Sequence, residues 1–274
     1  MTDPLPADLA ARLAESKPRF GRLGTSVHYF SSTESTNDVG VTLAAHGHEG
    51  AVVIADAQTA GRGRRGRTWY SPPLTGLYVS VVLKPWAPLA PSSPGSSSSD
   101  NTARARALVT LAAGVALSEG LESACGLGAD IKWPNDLIVD GRKLAGILAE
   151  AVGEDGVVLG YGINVASSAY PPELAGRVTS IERELGRPVE REGILVETLA
   201  ALARRYDDLL AQRFDAILDD WRRRSPGSIG KRVQWNTPGG IRSGVTAGVD
   251  DLGALLVANG DRVERLVAGE VVWS

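Results

Sequence analysis

Apolar positions along this chain of 274 residues recur with two periods, one helical and one extended. Leu5, Leu9 and Leu13 stand at helical spacing and predict a short helix over 5–16. Strands are predicted at 51–55 and at 77–83, where Leu77, Val79, Val81 and Leu83 fall on one face. A helix is expected at about 103–120, with Leu108, Leu111, Ala112 and Val115 on its apolar side. Asp140-Gly141 lies between two apolar runs and predicts a two-residue hairpin, because both turn positions favour positive φ. A further strand fits 156–160, and helices fit 190–211 (Leu195, Leu199, Leu202, Tyr206, Leu209) and 213–224 (Phe214, Ile217, Leu218, Trp221).

From residue 227 the helical period disappears. Short β-rich runs are separated by Pro238-Gly239-Gly240, Asp250-Asp251-Leu252-Gly253 and Asn259-Gly260, the pattern of a small five-stranded barrel. The expected architecture is a mixed α/β unit over 1–226 followed by a β module over 227–274. Residues 87–102 are rich in Pro, Ser and Gly, with four serines in a row at 96–99. Such a segment buries too little apolar area to offset its ordering entropy, and a disordered insert is expected there.

The net charge of −3 argues against binding nucleic acid by bulk charge. The last 48 residues carry five basic and five acidic side chains, so the β module is neutral as well. A single cysteine, Cys125, excludes an internal disulfide and fits a reducing compartment, where it reads as a small apolar residue. The N-terminus lacks a basic region followed by an apolar core, and no apolar run approaches about 18 residues, so a cytoplasmic protein without a membrane partner is expected. His46 and His48 flank a glycine in a predicted surface turn, with no Cys/His cluster nearby to make a metal site.

Chemistry concentrates around Gly61-Arg62-Gly63-Arg64-Arg65-Gly66-Arg67. Glycine permits unusual backbone and close approach, while arginine supplies a fixed cation with a fork of donors for phosphate or carboxylate. The spacing Gly61-x-Gly63-x-x-Gly66 imitates a dinucleotide fingerprint, but that fingerprint must open a helix, and here Pro72-Pro73 follow within a few residues. No Gly-Lys-Ser/Thr follows, which removes a phosphate-cradling P-loop.

Four further segments complete the picture. Glu34-Ser35-Thr36-Asn37-Asp38 offers hydroxyl and amide groups for a neutral polar head, and can equally cap a helix at 37–45. Asp56-Ala57-Gln58-Thr59 leads from a strand into the arginine loop. Ile131-Lys132-Trp133-Pro134-Asn135-Asp136 ends a short strand at a proline, with Lys132 as a point charge for phosphate or carboxylate. Gly160-Tyr161-Gly162-Ile163-Asn164 places two glycines in a strand, where a close-lying ligand or chain segment, or a bulge, would account for them. A pocket of polar groups, arginines, a lysine and glycine walls, without a nucleophile–base pair, suits activation of a carboxylate by a nucleotide. That chemistry needs in-line positioning and positive charge more than covalent help.

These motifs, in this order and spacing, resemble those of the biotin protein ligase (biotin–[biotin carboxyl-carrier protein] ligase) family over about residues 25–274, the barrel loosely. The resemblance implies a mixed-sheet α/β catalytic domain of the kind shared by class II synthetases and lipoate ligases, with an SH3-like C-terminal barrel. It implies that biotin and ATP with Mg²⁺ give biotinyl-5′-AMP, and that a lysine of an apo biotin carboxyl carrier protein takes up the biotin. It assigns Ser35, Thr36, Asn37 and Gln58 to biotin, Arg62, Gly63 and Arg64 to biotin and the adenylate phosphate, and Lys132 to the biotin carboxylate and phosphate. Arg64 and Lys132 are thereby the catalytic cations. Trp69 is implied to pack over the adenine. Asn135, Lys143 and Asn164 are assigned to the nucleotide, and Asp136 to the metal. A monomer or weak homodimer is expected.

Two alternatives stay open at this level: a lipoate or octanoyl ligase, and an RNA-binding module built on the arginine loop and barrel. Many bacterial relatives also carry an N-terminal winged-helix DNA-binding domain. Only about 34 residues precede the Ser-Thr-Asn segment here, so no operator binding is expected from this chain. An electrophoretic gel shift checks this, and nanomolar, sequence-specific retardation would contradict it.

Overall fold

The computed structural model describes residues 2–85, 98–167, 170–174, 176–269 and 271–273. A seven-stranded sheet is built from β1 (Val27–Phe30), β2 (Val52–Ala55), β3 (Gly76–Leu83), β4 (Asp130–Lys132), β5 (Asp136–Val139), β6 (Arg142–Val152) and β7 (Gly156–Asn164). Its order is β1-β2-β3-β7-β6-β5-β4, with β1 and β2 parallel and every other pair antiparallel. The helices are α1 (Ala7–Ser16), α2 (Thr36–Ala45), α3 (Ser98–Cys125), α4 (Ile181–Leu185), α5 (Arg191–Leu210) and α6 (Phe214–Arg224). A second, antiparallel sheet follows, formed by β8 (Ile229–Thr237), β9 (Gly240–Val249), β10 (Leu255–Asn259), β11 (Arg262–Leu266) and β12 (Val271–Trp273) in the order β11-β10-β9-β8-β12. The fold is mixed α/β with an SH3-like β module at its end.

All eight residues of β3 are buried, because helices cover both faces of the sheet. Leu77, Val79, Val81 and Leu83 share one face, as their alternation predicts, and join the main core with α3, α5 and α6. Val82 faces the other way, with Ala51 and Val158, beneath α2. Gly40 lets α2 lie close here, since a Cβ at that position would stand 2.7 Å from Val158 Cγ1. The hairpin forms as expected, with Asp140 at φ 49° and Gly141 at φ 76°.

Two elements exceed their predicted lengths. β7 continues through both glycines to Asn164, for reasons that emerge at the site. α3 starts at Ser98, so the predicted insert at 87–102 is helical over its last five residues, and the remainder, up to 97, lies outside the described residues. Side-chain contacts fix this polar first part of the helix: Asn101 Nδ2 donates to Gln212 Oε1 at 2.8 Å and Arg104 Nη2 to Asp215 Oδ1 at 2.5 Å. Among the described residues, Ser99–Cys125 is a helix long and apolar enough to cross a membrane by length and composition. No uninterrupted run shows this in the sequence, and the apolarity is that of a core helix, with Ala105, Leu108, Val115, Ala116 and Leu121 wholly buried.

Charge pairs knit the helical layer. Arg205, only 13 % exposed, meets Glu119 of α3, Asp208 of its own helix at 3.0 Å and Asp220 of α6 at 2.6 Å. The β module is keyed to the body beside β4. Trp133 Nε1 donates to Gly253 O at 3.0 Å, and Ser225 Oγ to Ile131 O at 2.7 Å.

Gly120 tests the α3–α5 contact. In an open helix Gly→Ala gains about 1 kcal/mol. Here the new Cβ would lie 2.7 Å from Thr198 Cα, backbone that cannot step aside. Gly120→Ala is therefore expected to lower stability by about 1–3 kcal/mol in denaturant unfolding. A gain would show that the two helices pack less tightly than described.

Candidate active site

A cleft of about 980 Å³ opens on the α2 side of the sheet, bounded by the arginine loop, the β4–β5 turn and the tip of the β module. Every residue to which the resemblance assigns a role lines it, from Ser35 to Asn164. A second cavity of about 680 Å³, between α1, the end of α3 and the start of α5, contains none of them.

The inner end of the cleft is a hydrogen-bonded group of neutral side chains. Ser35, Thr36 and Asn37 open α2 and are buried. Ser35 stands at the N-cap but its side chain makes no capping bond, so the capping reading is not realised. Gln58 Oε1 accepts from the Thr36 N–H at 2.9 Å, while Gln58 Nε2 donates to Ser71 Oγ at 3.0 Å. Ser80 Oγ donates to Asn37 Oδ1 at 2.6 Å and lies 2.8 Å from Thr36 Oγ1. Asn37 Nδ2 in turn donates to Glu150 Oε2 at 2.6 Å. Because a carboxylate only accepts, this partner also fixes which end of the Asn37 amide is nitrogen.

The glycines of β6 and β7 are floor tiles. A Cβ on Gly160 would sit 2.0 Å from Asn37 Oδ1, and one on Gly162 would sit 2.3 Å from Trp69 Nε1. Gly146 pairs with Gly162 across the ladder and also lies beneath the indole, 3.0 Å from Trp69 Cζ3 to its would-be Cβ. Of the readings open for Gly160 and Gly162, the close-lying chain segment holds.

No helix follows the arginine loop. The chain makes one tight turn at Arg65 (φ 58°) and Gly66 (φ 73°), closed by Gly63 N to Arg67 O at 2.7 Å and Trp69 N to Gly61 O at 2.8 Å. Arg62 folds back to Asp38 of α2 and to Glu150 of β6, at 2.9 Å. These contacts hold its guanidinium above the usual range, the bond to Asp38 first. Arg64 is inserted more deeply. Burial pushes its guanidinium down, with Arg65 adding to the effect, yet arginine remains charged in proteins. Its Nη1 donates to Asn135 Oδ1 at 3.3 Å, and among the described residues no carboxylate pairs with it.

The two lysines part company. Lys143 Nζ pairs with Asp136 Oδ1 at 2.7 Å and stands 5.2 Å from the centre of the Trp69 ring, at the middle of the cleft. Lys132 Nζ lies 5.4 Å from the Trp273 ring, at the mouth beside the β module. Asn164 Nδ2 donates to Thr179 O at 2.9 Å, bracing the chain that returns over β6. Sequence reasoning missed Ser80, Ser71 and Glu150. Ser80 had a signal, a lone hydroxyl in the apolar run 77–83, and Glu150 only that of a charge closing an apolar strand.

Fold and cleft together are those of a protein ligase. The model of the Biotin/lipoate A/B protein ligase family matches residues 29–165, and that of the Biotin protein ligase C terminal domain matches 228–273. The Bifunctional ligase/repressor BirA of Bacillus subtilis (strain 168) is 33 % identical over 271 residues, covering 95 % of this chain and 79 % of that protein. The Biotin–[acetyl-CoA-carboxylase] ligase of Paracoccus denitrificans is 33 % identical over 252 residues, covering 88 % of this chain and 98 % of its own. In fold, the Aquifex aeolicus biotin protein ligase solved with biotin and ATP superposes with a TM-score of 0.76 at 24 % identity, covering 91 % of this chain and 99 % of that one. The chain belongs to the biotin/lipoate protein ligase family, and within it to the biotin protein ligases.

Gly162→Ala is expected to lift the Trp69 indole off its floor and to raise acrylamide quenching of tryptophan fluorescence. Gly239→Ala, where a Cβ meets only Thr237 Oγ1 at 3.8 Å, serves as the control and should leave quenching unchanged. Equal quenching in both would mean that the ring does not rest on Gly162.

Proposed function

We propose that the cleft joins biotin to ATP, forming biotinyl-5′-AMP with release of pyrophosphate, and then passes the biotinyl group to a lysine amine of an apo biotin carboxyl carrier domain with release of AMP. The observation that carries this reading is the division of one cleft into a neutral, hydrogen-bonding end and a cationic end. A ureido-type head needs fixed donors and acceptors in a dry pocket, and Ser35, Thr36, Asn37 and Gln58 provide them. The carboxylate tail and a nucleotide phosphate need positive charge at their junction, and Arg64 provides a guanidinium that hydrogen-bonds the Asn135 amide, with Asp136 acting on it only from beyond ion-pair distance. A volume near 980 Å³ lies at the upper end of ligand pockets and suits two joined ligands.

Within this reading Arg62 and Gly63 form the near wall over biotin, with the glycine leaving room for the ligand. Lys143, central and close to Arg64's side of the cleft, takes the role of second cation at the reacting carboxylate. Its supports are the ion pair with Asp136 and its place beside Trp69. Lys132, over Trp273, guards the mouth through which carrier lysine enters. Trp69, Asn135 and Asn164 shape the nucleotide side, Trp69 as the flat surface for the base. The first step depends on holding the carboxylate oxygen in line with the α-phosphorus and its pyrophosphate leaving group, and the second on holding the lysine nitrogen over the face of the anhydride carbonyl, from which AMP departs.

Mg²⁺ carried by a triphosphate needs only one or two protein carboxylates. The residues fit that modest demand: among the described residues no cluster of three metal-binding side chains exists, while Asp136 lines the cleft beside Lys143. Asp136 would hold the ion, which when bound neutralises phosphate charge. The free Cys125 is in keeping with the cytoplasm as the compartment.

Pyrophosphate release that requires both biotin and ATP, with lipoate tested alongside, checks the first half-reaction, and biotin transfer to an apo carrier domain checks the second. Turnover with lipoate and not biotin would overturn the substrate. Loss of one preorganised cation costs about 10²–10³ in rate, so Lys143→Ala is expected to slow adenylate formation by that factor. Lys132→Ala should slow it less, and the reverse order would return the central role to Lys132. Arg64→Ala is expected to release the adenylate into solution, since charge-assisted bonds to phosphate are lost. Retention as tight as in the unmodified protein would remove Arg64 from phosphate binding.

A further inference from the structure

Glu150, at the far end of β6, belongs to none of the motifs and yet joins two of them. Its Oε2 accepts from Asn37 Nδ2 at 2.6 Å and from Arg62 Nη2 at 2.9 Å, with Oε1 3.2 Å from the same Nη2. Asn37 is held at its other end by Ser80, so its carboxamide stands between a hydroxyl donor and a carboxylate acceptor and has one orientation. Arg62 is the first cation of the arginine loop, and its second partner, Asp38, directly follows Asn37 on α2. One carboxylate on the rigid sheet is thus shared by a residue of the recognition pocket and a residue of the closing loop.

We propose that Glu150 is a positioning residue that orients the Asn37 carboxamide toward the pocket and, with the same carboxylate, latches the arginine loop to the sheet through Arg62. This rests on the reading of the cleft as a biotin site for its substrate, though not for the latch itself. Glu150 and Arg62 are each about one-third exposed, at 33 % and 38 %, so the pair can open and reform as the loop moves. A ligand that engages Asn37 acts on the group that also holds the loop, so Glu150 couples pocket and loop in addition to their direct contacts.

Two variants separate the two roles. Glu150→Gln keeps an acceptor for Asn37 and loses the charge that holds Arg62, whereas Glu150→Ala loses both. In ligand-free protein, limited trypsin digestion at the arginines of 62–67 is expected to run about fivefold faster in both variants, the scale of one charge-assisted bond. Circular dichroism melts check that the fold is kept. Unchanged digestion in both variants would overturn the latch. In biotin-dependent pyrophosphate exchange, the KM for biotin is expected to stay within about twofold for Glu150→Gln and to rise about tenfold for Glu150→Ala, because only the latter leaves Asn37 Nδ2 with no partner closer than Leu148 O at 3.5 Å. Equal KM values in the two variants, with a parallel fall in kcat, would overturn the orienting role and leave a merely structural one. If the unmodified protein shows no biotin-dependent exchange, the functional reading fails, while the digestion still decides the latch.

Discussion

The site depends on three missing side chains. Gly146, Gly160 and Gly162 leave bare backbone on the α2 side of β6 and β7, and Asn37 and Trp69 descend onto it. Glycine weakens a strand interior, but these lie in the middle of the sheet, where β7 is paired along its length with both β3 and β6. The ladder supplies the rigidity that glycine alone lacks. The result is a flat floor at a fixed height, against which an amide and an indole are held at van der Waals contact. Any β-carbon at 160 or 162 would raise the floor and push the recognition groups out of register with their partners on β3 and β6.

Electrostatics then divides the cations of the cleft by task. Arg62 has two carboxylates around it, and Lys143 has Asp136. Their charge is largely compensated inside the protein, so their work in the ligand-free state is to hold the loop and the cleft in shape. Arg64, half-buried with an amide for a hydrogen-bond partner, is offset only from a distance by Asp136 and is opposed by Arg65. A desolvated charge of this kind is costly unless something of opposite sign completes it.

Much of this was legible along the chain because it is encoded locally. The two periods located the helices and strands, and Asp140-Gly141 specified its turn through the φ values that only such pairs tolerate cheaply. The motif residues that line the cleft come together from the start of α2, the loop between β2 and β3, the β4–β5 turn and strands β6 and β7. Ser80, Ser71 and Glu150 were not legible, since their meaning lies in partners 13 to 113 positions away in sequence. The different surroundings of Lys132 and Lys143 were hidden for the same reason: only the register of β4, β5 and β6 sends one to Trp273 and the other to the Trp69 floor.

The position of the β module follows from that same register. β4 is a sheet edge, and its three residues would present unpaired backbone to solvent. Ser225, at the end of α6, takes up the Ile131 carbonyl, while Trp133 reaches Gly253 of the second sheet and Trp273 stands beside Lys132. A small neutral sheet, standing beside β4, lends Gly269 and Val271 to the lining of the cleft and so shapes a site whose other walls belong to the first sheet, its loops and the start of α2.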